Sequence, residues 1–250
     1  MSRGISLASY GLAFVISFSL AGRAADDATR PATDGPTRYE YRQEHDPNGI
    51  GKFYLGREIA HVMGGHEAAD WLERPERAEE EKPDLLLKTL KLKPGDVVAD
   101  IGAGTGYFER LLARAVGDSG RVYAEEIEPP LVAYLAERAR SEGTPQVVPI
   151  YGAPADPRLP GDLDLIFLCN VYRYIDGRRA FFRRLLPNLA RSGRVAIVDW
   201  RPTDNSPNRL PAQRVVAEMG AAGYRLIQEP TFLPKQYFLV FGRAEEPGPR

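Results

Sequence analysis

The strongest chemical signature in the chain is the decapeptide Val-Val-Ala-Asp-Ile-Gly-Ala-Gly-Thr-Gly at positions 97–106. An apolar run ends in a carboxylate, Asp100, and a turn dense in glycine follows at Gly102, Gly104 and Gly106. Glycines let a backbone turn sharply and come close to a ligand. An acid at the carboxyl end of a strand points its charge into the crevice where open α/β sheets bind ligands. A pyrophosphate would sit badly beside that charge. The dinucleotide fingerprint also asks for a glycine where Tyr107 stands. A second acid, Glu126, lies 26 residues after Asp100, within the stretch Gly120–Glu128. A carboxylate there can accept both hydroxyl protons of a ribose, the role an acid about 20 residues past such a loop plays in related folds. Glu125 and Glu128 are its neighbours, and the bland alternative is a solvated acidic strand end.

These residues need a particular frame. Residues 97–101 read as a buried strand, and 107–116 carry apolar residues at helical spacing, so the glycines join a strand to a helix N-terminus. Further strands are expected at Gln146–Tyr151, Leu163–Cys169, Gly193–Asp199, Tyr224–Gln228 and Gln236–Phe241. Helices are expected at Asp176–Leu189 and Pro211–Ala222, the latter stopped by Gly223. Strands alternating with helices predict an α/β fold, a seven-stranded doubly wound sheet that is mostly parallel.

The decapeptide resembles motif I of the class I S-adenosylmethionine-dependent methyltransferases, and the resemblance covers roughly residues 83–243. It implies the Rossmann-like methyltransferase fold, with the last strand antiparallel and S-adenosylmethionine as cofactor. By this likeness Asp100, Gly102, Ala103, Gly104 and Gly106 hold the methionine moiety and Glu126 the ribose. Adenine would meet the loop after Gly152, where such enzymes often place an acid directly after the glycine. Here Ala153 and Pro154 stand there and the acid comes later, at Asp156. Asn170 takes the motif IV position between cofactor and acceptor. The reaction implied is displacement at a sulfonium methyl, in which positioning does most of the work. Candidate catalytic residues at the strand exits are Asn170, Tyr172, Arg173 and Asp199, with Tyr174 and Arg201 beside them. Two arginines at this mouth favour an anionic or polar small-molecule acceptor. The stretch 170–176 is similar to a subgroup of uncharacterised bacterial methyltransferases in which histidines often follow Val-Tyr; Arg173 and Tyr174 replace them here. The alternative reading is therefore a protein of the same fold that binds the cofactor or its demethylated product with lost or altered transfer. A nicotinamide-dependent oxidoreductase is disfavoured by Tyr107.

The chain has 250 residues, 43% of them hydrophobic, enough for one domain with extensions. With 33 basic and 34 acidic residues, no basic surplus points to a nucleic acid. Arg3, the uncharged stretch 4–22 and Gly22-Arg23-Ala24 predict a secretory signal peptide over 1–24 and a periplasmic destination. An uncleaved membrane anchor over residues 4–22 is the alternative. Residues 25–50 read as a flexible tether, 51–82 as a helical lid, 83–243 as the methyltransferase domain and 244–250 as a tail. Arg57–Met63 carries apolar residues at helical intervals within that lid. No metal is expected: His61 and His66, five residues apart, lie about 140° apart around a helix and share no face. Cys169 is the only cysteine and reads as a small core residue.

Overall fold

The computed structural model describes residues 39–62, 69–206 and 208–244. Seven strands form the main sheet: β4 (Val97–Ile101), β5 (Arg121–Glu126), β6 (Val147–Tyr151), β7 (Leu163–Cys169), β8 (Leu189–Trp200), β9 (Tyr224–Gln228) and β10 (Gln236–Arg243). Their order is β6-β5-β4-β7-β8-β10-β9. The pairs β6–β5, β5–β4, β4–β7 and β7–β8 are parallel. Strand β10 runs antiparallel to both β8 and β9. Connections leave β4 in one direction and β7 in the other, so the switch point of the sheet lies between them.

Side chains alternate across each strand, and both faces are covered. On one face Val98, Val122, Leu165, Phe167, Ala196 and Val198 pack under α3 (Pro83–Leu90), α4 (Glu109–Val116) and α5 (Pro129–Ser141) through Leu86, Leu90, Leu112 and Leu135. On the other, Ala99, Ile101, Ile166, Leu168, Val195 and Ile197 meet Phe181, Phe182 and Leu185 of α6 (Arg178–Leu185) and Val215 and Met219 of α7 (Ala212–Ala221). Burial on both faces explains why the central strands read as continuous apolar runs. The link from β6 to β7 contains no helix.

The segment before the main sheet differs from the sequence expectation. A three-stranded antiparallel sheet, β1 (Tyr39–Tyr41), β2 (Gly49–Tyr54) and β3 (Arg57–Ala60), occupies much of the expected tether and lid. Residues 39–50 are therefore not a free tether, and Arg57–Ala60 is a strand rather than a helix. Ile59 and Ala60 are buried side by side, which a helical reading of four residues cannot separate from a strand buried on both faces. Leu55 and Gly56, both at positive φ, make the tight turn between β2 and β3. The helical part is short: α1 (Ala69–Leu72) and α2 (Arg77–Glu81). The small sheet is tied to the turn after β7 and to α7. Lys52 pairs with Asp176, Arg214 donates to the Leu55 carbonyl, and Asn208 Nδ2 donates to the Asn48 carbonyl at 2.9 Å.

Residues 1–24, and with them the expected signal segment, lie outside the described residues, as do His66 and most of the tail. Among the described residues no helix is long and apolar enough to cross a membrane.

Candidate functional site

A cavity of about 300 Å³ opens at the carboxyl ends of β4, β5 and β7. Its floor is the glycine turn. Gly102, Gly104 and Gly106 have φ of 70°, 61° and 86°, a region that side chains with a Cβ rarely enter. A Cβ on Gly102 would lie 2.6 Å from Val171 Cγ2, and one on Gly104 would lie 3.3 Å from Leu72 Cδ1. Gly102 and Gly104 line the cavity, while Gly106 packs underneath against Leu135.

Glu125, Glu126 and Glu128 all line the cavity at the exit of β5. Glu126 accepts from the backbone N–H groups of Gly104 (3.0 Å), Ile127 (2.7 Å) and Glu128 (3.2 Å). Burial pushes its carboxyl up and these bonds pull it back. Glu125 accepts from Gly102 N–H at 3.3 Å, and burial raises its carboxyl to about 8. It also fills the space in front of Gly152, where a Cβ would sit 1.6 Å from Glu125 Oε1.

Asp100 and Ala103 are not on the cavity wall. Asp100 is buried beneath the turn beside Glu109, which opens α4. Burial and the neighbouring carboxyl raise Asp100 well above the ordinary range, and burial lifts Glu109 to about 7. Two carboxyls sharing one dry site cannot both ionise cheaply, so the pair retains a proton near neutrality. Asp100 thus lies buried off the cavity wall and presents no bare charge to the crevice.

Asn170 stands at the exit of β7 with φ 63°, a left-handed conformation that asparagine tolerates better than most residues. Its side chain is fixed from both ends. Nδ2 donates to Glu81 Oε1 at 2.9 Å, and Oδ1 accepts from Gln236 Nε2 at 2.8 Å. Glu81 is fully buried and paired with Arg77, whose guanidinium lies 3.9 Å from the Tyr107 ring centroid. Short α2 is therefore latched to the β7 exit. Just before it, Glu73 accepts from Thr105 Oγ1 and from Arg138, each at 2.6 Å, holding α1 over the glycine turn.

Other candidates fall elsewhere. Tyr172 is fully buried on the α7 side, donating to Glu218 Oε2 at 3.0 Å, so it is a core residue rather than a mouth residue. Its ring stacks on Phe182 at 5.3 Å. Asp199 is also buried; it pairs with Arg173 and is not on the wall of this cavity. Arg201 is not on that wall either. Asp156 is exposed and accepts from Arg158 N–H at 2.9 Å, closing its own turn away from the cavity that Ala153 and Pro154 do line. Cys169, read as core, contributes to the cavity wall.

Arg173 and Tyr174 reach the mouth. Both line the first cavity and also a second one of about 600 Å³, and Trp71 is common to the two. Sequence reasoning missed this second cavity. His61, Trp200 and Arg209 line it from three separate stretches of chain, which no local spacing connects.

Comparisons with known proteins agree with this geometry. Residues 98–193 match the methyltransferase domain family. A protein-L-isoaspartate O-methyltransferase from Aeropyrum pernix is 40% identical over 75 residues, covering 30% of this chain and 29% of that protein. A 2-phytyl-1,4-naphtoquinone methyltransferase from Thermosynechococcus vestitus is 35% identical over 121 residues, covering 46% of this chain and 51% of its own length. The chain thus spans between about a third and a half of these relatives. A SAM-dependent methyltransferase from Aquifex aeolicus shares the fold, with TM-score 0.67, 24% identity and coverage of 72% of this chain and 98% of that one. The strand order and the glycine turn are those of the Rossmann-like methyltransferase fold, and the segment that matches the methyltransferase domain family lies within it.

Proposed function

We propose that the chain binds S-adenosylmethionine in the first cavity and transfers its methyl group to an acceptor that enters through the second. The observation that carries this reading is the shared wall: Trp71, Arg173 and Tyr174 face both cavities, so two ligands can meet there. The residues present fit the cofactor. Gly102 and Gly104 bring bare backbone to the cavity wall at positive φ, and Glu126 lines the cavity beside them. Leu72, Ile127, Leu131 and Pro154 give it apolar walls suited to a purine.

Bound there, S-adenosylmethionine supplies an electrophilic methyl group on a neutral leaving group, so no general acid is required. The chain's own task is alignment and exclusion of water. Asn170, locked between Glu81 and Gln236, fixes the wall of the first cavity at the exit of β7. Leu72 and Trp71, held by the Glu73 latch, cover the glycine turn. Binding without transfer is the second reading. It is favoured by Arg173, whose guanidinium is occupied by Asp199 and by Tyr174 Oη at 2.6 Å. Calorimetry with S-adenosylmethionine, S-adenosylhomocysteine and NAD decides the cofactor. Binding of the first two and not of NAD is expected; the reverse overturns the proposal.

Export belongs to the same proposal. Arg3, the uncharged residues 4–22 and the small residues Gly22 and Ala24 support translocation and removal of residues 1–24.

A further inference from the structure

Three aromatic rings around the second cavity each carry an arginine on one face. Arg74 lies 3.9 Å from the Trp71 centroid, Arg173 4.4 Å from Tyr174 and Arg209 5.1 Å from Trp200. The three pairs come from the lid, the turn after β7 and the segment following β8. Lys235 adds a fourth cation at the rim.

Their charges are not equivalent. Arg74 donates to Glu80 Oε2 at 2.6 Å and Lys235 to Glu80 Oε1 at 3.1 Å, so that carboxylate is taken at both oxygens. Arg173 is paired with buried Asp199. Arg209 is half-buried against Trp200 and hydrogen-bonds to no carboxylate among the described residues. Burial and the nearby Arg173 cation lower its affinity for its proton, and the attraction of Asp199 and Tyr174 offsets only part of this. A half-buried guanidinium to which no carboxylate is hydrogen-bonded has its donors open to an anion, and its planar fork matches a carboxylate.

We infer that the second cavity binds a small organic acid, with the carboxylate on Arg209 and a flat body among Trp200, Tyr174 and Trp71. The inference rests on the proposed function, since it names the class of acceptor for that site. The cavity of about 600 Å³ suits a small-molecule body. The carboxylate is an anchor: Arg209 lines only the second cavity, whereas Tyr174 and Trp71 border the first. The group that accepts the methyl is therefore at the other end of the molecule.

The test uses two matched pairs of probes: 4-hydroxybenzoate with 4-hydroxybenzamide, and indole-3-acetate with indole-3-acetamide. Each amide keeps the body and removes the charge. Calorimetry is run on the full mature chain with and without S-adenosylhomocysteine, on wild type, R209Q and R209K. At least one acid should bind about tenfold more tightly than its amide, the ratio expected of a charge-assisted bidentate contact. R209Q should remove that preference and R209K should retain part of it, while both bind S-adenosylhomocysteine within about twofold of wild type, which also shows that they fold. Equal binding of acid and amide, binding of neither acid, or an undiminished preference in R209Q overturns the inference. Phenyl phosphate binding tenfold more tightly than both acids overturns the carboxylate assignment. Failure of wild type to bind S-adenosylhomocysteine defeats the cofactor reading instead, and the comparison without that ligand still reads the Arg209 site.

Discussion

Three acids follow one another closely at the exit of β5, and their surroundings assign them different work. Glu126 is held by three backbone N–H groups and is already aimed beside Gly104. Replacing it with alanine should weaken S-adenosylhomocysteine binding at least about tenfold, since a hydrogen bond to a charged group contributes about 1.5–3 kcal/mol. Glu128→Ala should change the affinity little, and titration calorimetry of the two variants that gave the opposite order would assign the ribose to Glu128. Gly104→Val should abolish binding, because a branched residue at φ 61° is strained and its side chain would press on Leu72. Glu125 has a separate signature. Its folded carboxyl titrates at about 8 against an ordinary 4.5. Between those values the folded state holds a proton that the unfolded chain has lost, so stability falls as pH rises through the window. Glu125→Gln cannot ionise. Its melting temperature without ligand should match wild type near pH 4.5 and exceed it increasingly up to pH 8; parallel curves would show that Glu125 is ionised in the folded protein.

At the scale of elements, one buried ionic network and one half-exposed latch hold the site together. Arg178 and Glu218 are both fully buried, joined at 2.6 Å, with Tyr172 and Arg214 donating to the same carboxylate. They tie α6 to α7 beneath the turn that carries Arg173. Glu218→Ala leaves a buried guanidinium unpaired and should destabilise the fold by about 3–5 kcal/mol in urea melts. Replacing both Arg178 and Glu218 with apolar residues of similar volume should recover most of that loss. A loss in the single variant below about 1 kcal/mol would mean that water reaches Arg178. The lid latch is weaker. Glu73→Ala should speed hydrogen exchange across residues 69–81 while leaving the main sheet unchanged, because α1 is too short to persist without the Thr105 and Arg138 contacts.

For the whole molecule, the proposed export sets compartment against chemistry. A fold that uses a cytosolic cofactor follows a segment with the marks of an export signal. N-terminal sequencing of protein from its native host should begin at Ala25. An intact Met1 in a soluble cytosolic fraction would refute export, and an intact Met1 in the membrane fraction would favour the anchor.

Much of the main domain was legible in the chain because its signals are local. Strand 97–101, the glycine turn and helix 109–116 are adjacent, so the positive φ demanded at Gly102 and Gly104 and the apolar periods on either side can be read directly. Burial on both faces leaves apolar runs that mark the remaining strands. The lid was not legible in the same way. Arg57–Ala60 is too short for its period to separate strand from helix, and pairing with Gly49–Tyr54 settles it. The roles of single polar residues were decided only by tertiary structure. Tyr172 and Arg173 are neighbours in sequence, yet Glu218 draws one into the core while Arg173 turns to both cavities. Asp100, placed by motif at the crevice, lies beneath the turn because Glu109 and the sheet enclose it. Arg209, 36 residues beyond Arg173, carries no motif at all. Sequence spacing records what one segment does to itself; which charges are neutralised depends on segments brought together from far along the chain.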